Sequence, residues 1–491
     1  MKILQVKKIN AAWLTVFVVM LGLSIVGCFV TPREGMFNLP GESLFANVAW
    51  MITATIFVLM MTPGLSFFYG GMVRVKNVIS TMLQSFIVMG VVSVIWVVFG
   101  FSLAFGQDIG HVLGNPATFF MFDNVGVTNV TDASNEWSQI GIATTTIPLA
   151  LFALFQMKFA IITPSLITGS FAERVHFAGY LLFMVLWTIL VYCPLAHCTW
   201  HPDGLFGMMH VHDYAGGIVV HAASGIAALT GAMYLGKRTT KKESKPANVP
   251  FVLLGAALLW LGWFGFNGGS SLAADGIAIS AFLNTNTAAA TAMVVWIAMD
   301  GLRGHKPSAM GAAIGAVVGL VAITPCAGWV SVGQSVCISF IITICCNLAC
   351  SWKGYSNMLD DALDVFPTHG LGGIIGTVLT GIFAYDFFAS SEPEMISRNE
   401  FFWNHILVLL MVVVYTFLMS YALYWFTDKI IPMRVSGRSE IIGLDKSQHD
   451  EEYGGETGLA EDSITLDDWY RRPVSQPLPL LYLLFLSDHS Y

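Results

Sequence analysis

Eleven apolar runs recur along this chain, near residues 47–69, 79–104, 141–167, 177–199, 207–236, 250–272, 276–299, 308–324, 329–351, 361–385 and 402–427. A helix needs about 20 apolar residues to cross the hydrocarbon of a bilayer, and most of these runs reach that length. Only 11% of the 491 residues are charged and 55% are hydrophobic, against roughly 25% charged in an ordinary soluble protein. A soluble globular enzyme is excluded, and the expected fold is an all-α polytopic membrane protein. The formal net charge is −8. Residues 431–491 hold 5 Lys or Arg and 11 Asp or Glu, so −6 of it lies there. The membrane part is close to neutral, which argues against a nucleic-acid partner. Cys345, Cys346 and Cys350 sit in one apolar run at no metal-ligand spacing and read as space-filling residues.

Lys2, Lys7 and Lys8 precede a twelfth apolar run, Ala11 to Val30, followed by Pro32-Arg33-Glu34-Gly35, the layout of a secretory signal. Residues 1–30 are therefore expected to be a removed signal segment, with an uncleaved first helix as the alternative. Ile25-Val26-Gly27-Cys28 also loosely fits a lipoprotein cleavage box. Basic residues accumulate in alternate loops: Arg74 and Lys76; Arg174; Lys237, Arg238, Lys241, Lys242 and Lys245; Arg303 and Lys306; Lys353; Lys429, Arg434 and Arg438. Arg398 is the main exception. The positive-inside rule then places the mature N-terminus outside and the C-terminus inside, as an odd number of spans requires. The expected organisation is a membrane domain over 47–427, a cytoplasmic tail over 428–459, and an unassigned acidic extension over 460–491, expected to be disordered.

Gly311, Gly315 and Gly319 recur every fourth residue and read as a close helix-packing face. Segments one to five and six to ten each end on an Asp and a His in a Gly-rich apolar setting, Asp213 to His221 and Asp364 to His369. Five helices per half invert the second copy, so an inverted repeat is expected, with a site at its midplane interface.

An ionisable side chain inside a span is costly enough to mark function. Lys158, Asp213, His221 and His369 qualify. The bland reading of a lone buried histidine is one satisfied by a neighbouring carbonyl. Two in matching halves at one depth mean more. At 1.5 Å per residue, a fifth span starting at Gly216 would leave His221 only about 8 Å deep, far from His369. A start near Gly207 would carry it to about 21 Å, with His369 about 12 Å from the opposite face. The longer span is therefore expected, and it buries Asp213. Lys158 reads as a snorkelling or helix-contact residue, and His201-Pro202-Asp203 with His210 to His212 as a solvated surface.

Aromatic residues form a further group: Phe155 in segment three, Trp200 ending segment four, and Trp263, Phe264 and Phe266 just before Asn267-Gly268-Gly269-Ser270. Trp at a membrane boundary is ordinarily a belt residue. Rings converging on a pore mouth could instead hold a partly desolvated small cation, at about 2 kcal/mol.

Together these motifs resemble the ammonium transporter family, the Amt/Mep/Rh proteins, from about Asn47 to about Tyr453. The resemblance rests on Thr62-Pro63-Gly64 with Phe68-Tyr69-Gly70-Gly71, Arg74-Val75-Lys76-Asn77-Val78, Phe171-Ala172-Glu173-Arg174 and Asp213-Tyr214-Ala215-Gly216-Gly217 leading to His221. It continues in Gly262-Trp263-Phe264-Gly265-Phe266-Asn267 with Ser270, Asp364-Val365-Phe366 leading to His369-Gly370, and Gly443-Leu444-Asp445 with His449 and Tyr453. It implies eleven helices around a pore in each subunit of a homotrimer. It also implies an outer ammonium site of Trp200, Phe155 and Ser270, a gate of Phe155 stacked on Phe266, and paired pore histidines at His221 and His369. Asp213 would support the outer vestibule without touching substrate. No cofactor or metal is implied, and the chain is expected not to be an enzyme. The expected location is the cell (inner) membrane, and a PII-type regulator is an expected cytoplasmic partner.

The expected function is ammonium transport. Cation–π contact and the Ser270 hydroxyl would gather the ion, desolvation would favour its deprotonation, and neutral ammonia would pass while the histidines relay the proton. The alternatives are a passive ammonia or carbon dioxide channel and an ammonium sensor with tail output. A metalloenzyme using His197, His201, His210 and His212 is disfavoured, because these lack the ligand spacing of zinc sites.

Overall fold

A computed structural model describes residues 45–123, 125–126, 147–239, 245–352, 358–391 and 395–454, with Val19 and Gly22 alone before them. Apart from Val19 and Gly22, the expected signal segment lies outside the described residues, as do the unassigned 460–491 extension, Lys241, Lys242 and Lys353. Among those described, ten helices are long and apolar enough to cross a membrane: α1 Phe45–Met72, α2 Val75–Phe105, α3 Leu149–Phe171, α4 Phe177–Met208, α5 Gly217–Leu235, α6 Val249–Gly269, α7 Gly276–Leu302, α9 Val332–Ser351, α10 Phe366–Phe383 and α11 Arg398–Ile430. The eleventh apolar segment is the shorter helix α8, Ala309–Ile323. The all-α membrane fold therefore stands. The only β-sheet among the described residues is a two-residue antiparallel pair, Asp108–Ile109 with Leu113–Gly114.

Short polar residues just outside the apolar runs set the helix starts, because the first turn of a helix has N–H groups without intrahelical acceptors. The Asn248, Asp275 and Ser308 side chains accept N–H bonds at the starts of α6, α7 and α8. Ser331 with Gln334, and Ser397 with Glu400, form reciprocal caps on α9 and α11. The glycine face of α8 packs as expected: a Cβ on Gly315 would stand 2.6 Å from Trp296 Cβ, and one on Gly319 would stand 2.3 Å from the Ala288 carbonyl oxygen, both on α7.

The polar face of the bundle at the ends carrying Arg74, Arg174 and Arg238 is tied by ion pairs. Glu173 pairs with Arg74 and Arg238, both at 2.9 Å, and Arg238 also reaches Asp360 at 2.8 Å. Burial pushes the Glu173 carboxyl up, but the two arginines outweigh it and hold it below its usual range. The chain after α11 folds back onto this face. Asp445 accepts the Ile79 and Ser80 N–H groups at 3.0 and 2.7 Å, Lys76 donates to the Ile441 carbonyl, and the Asn248 amide donates to the Tyr453 hydroxyl.

Candidate functional site

Two half-helix starts build the centre of the site. α5 opens with a π-turn, Gly217–Ala222, and α10 with another, Phe366–Gly370; single π-turns of this kind frequently occur at functional sites. Each turn is anchored from eight residues before its histidine. The Asp213 carboxylate accepts four N–H groups, from Gly216, Gly217, Ile218 and Val219, at 2.7–3.3 Å. Asp361 Oδ2 accepts the Phe366 N–H at 2.8 Å. Burial pushes the Asp213 carboxyl up to about 6, against the pull of its four donors.

The two helices cross backbone against backbone. A Cβ on Gly225 would lie 2.1 Å from the Gly370 Cα, and one on Gly373 would lie 2.6 Å from both the Ala222 nitrogen and the Gly217 carbonyl oxygen. This approach brings His369 Nδ1 to 3.3 Å from His221 Nδ1, with the rings 5.4 Å apart and inclined by 20°. Between two such nitrogens one proton can be shared, one ring donating and the other accepting. His221 Nε2 is buried and has no hydrogen-bond partner among the described residues, and the His221 ring stacks on Trp263, whose N–H donates to Thr324 Oγ1 at 2.9 Å.

An aromatic column continues from the histidines. Phe266 is 6.2 Å from His221, Phe159 stacks on Phe266 at 4.1 Å and 18°, and Trp200 meets Phe159 edge-on at 5.9 Å. The Trp200 indole is fixed by donating to the Asp213 carbonyl at 2.9 Å. Ser270 donates its hydroxyl proton to the Phe266 carbonyl at 2.8 Å, which leaves its oxygen lone pairs to accept. Below Phe266, apolar side chains including Leu65, Ile162, Leu259 and Val317 enclose, with both histidines, a cavity of about 10 Å³, about enough for the centre of one small molecule.

Four readings of the sequence need correction. The ring stacked on Phe266 is Phe159, not Phe155. The two lie one turn apart on α3, on the same face, and Phe155 instead fills the space left by Gly269, where a Cβ would stand 2.7 Å from its ring. The fifth span begins at Gly217, not near Gly207. The residues just before it are buried but not helical: Asp213 is 5% exposed, so His221 reaches His369 from a short helix that starts inside the protein. The second-half partner of Asp213 is Asp361, not Asp364. Asp364 adopts left-handed backbone, φ 53°, and it is the Asp364 carbonyl that accepts from Thr368. His201 is not solvated: it is 2% exposed and stacks on His197, while His212 is half-buried and stacks on Phe388 at 3.8 Å. The missed counterpart had a sequence signal, an Asp eight residues before each histidine. Phe159 had none, since i and i+4 share a face.

A polytopic bundle that encloses a constricted apolar lumen, headed by aromatic rings and crossed by a histidine pair, defines a membrane conduit for something small and able to exchange hydrogen bonds. The chain belongs to the ammonium transporter family: the profile of the Ammonium Transporter Family matches residues 49–453. It is 41% identical over 412 residues to a putative ammonium transporter of Methanothermobacter thermautotrophicus, covering 82% of this chain and 97% of that one. It is 40% identical over 411 residues to an ammonium transporter of Bacillus subtilis, with the same coverage of each. Among solved structures, Candida albicans Mep2 matches with a TM-score of 0.71 at 31% identity, covering 80% of this chain and 86% of that one. A structure described as a sensor Amt protein matches with a TM-score of 0.73 at 27% identity, covering 83% and 99%.

Proposed function

We propose that this protein moves ammonium across the membrane by separating it into ammonia and a proton. The His221–His369 contact beneath the aromatic column carries this reading. At the mouth, the Trp200 and Phe159 rings present π faces to a cation that has shed part of its water, and Ser270 accepts one of its N–H bonds. Ammonium and potassium are close in size, so a cage of fixed diameter does not separate them. Ammonium alone has N–H protons to donate and to lose. Passing the stacked Phe159 and Phe266 rings strips the remaining water, and the lumen below offers almost no polar group apart from the two imidazoles. Desolvation there favours the neutral amine. Ammonia enters the cavity while the released proton passes to the imidazole pair, whose shared Nδ1 contact hands it from one ring to the other. Ammonia takes up a proton again at the far end. Potassium has no proton to give up and stops at the rings.

Asp213 acts without touching the ion: it holds the start of α5 and, through its carbonyl, the Trp200 indole. The alternating basic loops support an orientation with the mouth outside and the C-terminus in the cytoplasm of a cell membrane. Family likeness supports a homotrimer and a PII-type partner at the cytoplasmic face, and the leading Lys2, Lys7 and Lys8 with the run to Val30 support a removable signal segment. The likeness to a sensor Amt protein favours one second reading, a sensor with tail output.

Reconstituted protein, with potassium excluded, tests these together. Ammonium-driven current and ammonium flux should both appear, and the current should fall sharply in His221→Ala and in His369→Ala. Wild-type current in both variants overturns the relay. Flux without current selects a gas channel, and binding without flux selects the sensor.

A further inference from the structure

Lys158 is an unmatched cation inside a span. On α3, between Leu149 and Phe159, the only residues that are not buried are Ala150, Leu154 and Lys158, a stripe at every fourth position facing outward. Among the described residues, the Lys158 ammonium meets only the Met157 sulfur at 3.7 Å, a weak acceptor. It stands ten residues after the Pro148 cap, about 15 Å along the helix, and a lysine side chain does not bridge that depth. A charge left in hydrocarbon is costly, so it calls for a partner beyond the described residues of its own protomer.

The same chain carries a groove suited to that cation. Trp50, Phe264, Ile279 and Phe282 line it, with Asp275 at one end and Asn286 further along α7. Asn286 is exposed in the middle of an apolar span and makes no hydrogen bond within the chain among the described residues. It lies eleven residues after the Asp275 cap, about 16 Å along α7. α3 and α7 are the third and seventh of alternating spans, so they run in the same direction. The lysine and the asparagine therefore lie at nearly the same depth.

We infer that Lys158 of one protomer inserts into this groove of a second copy, its stem along Ile279 and Phe282 and its ammonium donating to Asn286 Oδ1, with the aromatic rings contributing cation–π attraction. The contact joins two different faces of the chain, so it is heterologous and repeats until the ring closes. It rests on the homotrimer reading above and names the contact that such a ring would use.

The test uses full-length protein in its native membranes, in a Cys337→Ser background, because Cys337 is the exposed thiol among the described residues. A thiol-reactive cross-linker about as long as a lysine side chain is added to Lys158→Cys, to Asn286→Cys and to the double variant. The expected result is a ladder of covalent oligomers in the double variant only, with a single dimer band when the two single variants are co-expressed. Native mass measurement runs in parallel. An intact oligomer without cross-links overturns the Lys158 contact while leaving the assembly, and a monomer overturns both. Cross-linking in Lys158→Cys alone shows an isologous interface and also overturns it. Lys158→Met should lower the temperature at which the oligomer dissociates, and Lys158→Arg should restore it. If dissociation instead follows anionic lipid content and is unchanged by Asn286→Ala, the cation pairs with lipid phosphate and the inference fails.

Discussion

Gly225 on α5 and Gly370 at the start of α10 touch so closely that a Cβ on the first would overlap the backbone of the second, 2.1 Å from its Cα. No flexible side chain is available to yield there. Because His221 precedes Gly225 by one turn and His369 adjoins Gly370, this contact sets the distance between the two imidazoles.

Gly225→Ala should therefore separate the helices and the histidines with them. Overpacking of this kind costs about 1–3 kcal/mol, so the protein should still reach the membrane, with a lowered thermal midpoint in detergent and little ammonium-driven current. Gly276→Ala, where a Cβ meets open space, is the control and should leave both measurements unchanged.

Phe159 and Phe155 share a helix face, but it is Phe159 that stacks on Phe266. Phe159→Ala removes the ring stacked on Phe266 at 4.1 Å and opens the mouth to water, so the preference for ammonium over potassium should collapse in reconstituted current measurements. Phe155→Ala leaves the stack in place and should keep that preference. A reversed result would return the gate to Phe155.

Much of this is legible in the residues alone. Length and apolarity locate ten spans and the shorter α8, and the two histidines stand out because lipid tolerates few ionisable groups. What the sequence did not disclose is local. Rise per residue assumes helix, so it sent the fifth span back to Gly207, while the chain from Asp213 to Gly216 is buried by packing and its backbone is held by the Asp213 carboxylate. Apolar pattern cannot rank Phe155 against Phe159, since both are buried on one face. The choice is made by Gly269, a residue more than a hundred positions away. Nor does charge along the loops show which basic residues are engaged: Arg74 and Arg238 are bound to buried acids.

Asp213 offers a test of positioning. Asn at this site keeps one oxygen and turns an NH₂ group toward N–H donors, so at least two of the four bonds are lost. Each buried donor left without an acceptor costs about 1–3 kcal/mol. Asp213→Asn should lower the thermal midpoint and weaken ammonium capture at the mouth, because Trp200 is tied to the same residue. Asp213→Glu should recover part of the stability. Equal stability in Asn and wild type would show that the four contacts do not hold the start of α5.

Asp360 makes the ion-paired clasp at the Arg74, Arg174 and Arg238 end of the bundle sensitive to acid in a definite direction. Burial raises its carboxyl, but the hydrogen bonds from Arg238 and the charges of Arg174 and Arg238 together hold it at about 2, below the usual value near 3.9. The folded state thus favours the ionised form. Its stabilisation is complete above about pH 4 and is lost as the pH falls from there toward about 2. Thermal midpoints of detergent-solubilised protein should decline through this window, and Asp360→Asn should flatten that part of the curve while lowering stability at neutral pH. Arg238→Met should do the same from the other side of the pair and should also leave Glu173, which shares the guanidinium at 2.9 Å, with Arg74 alone. If Asp360→Asn keeps the full acid slope, the decline belongs to other carboxylates and the pair is not what holds this face together.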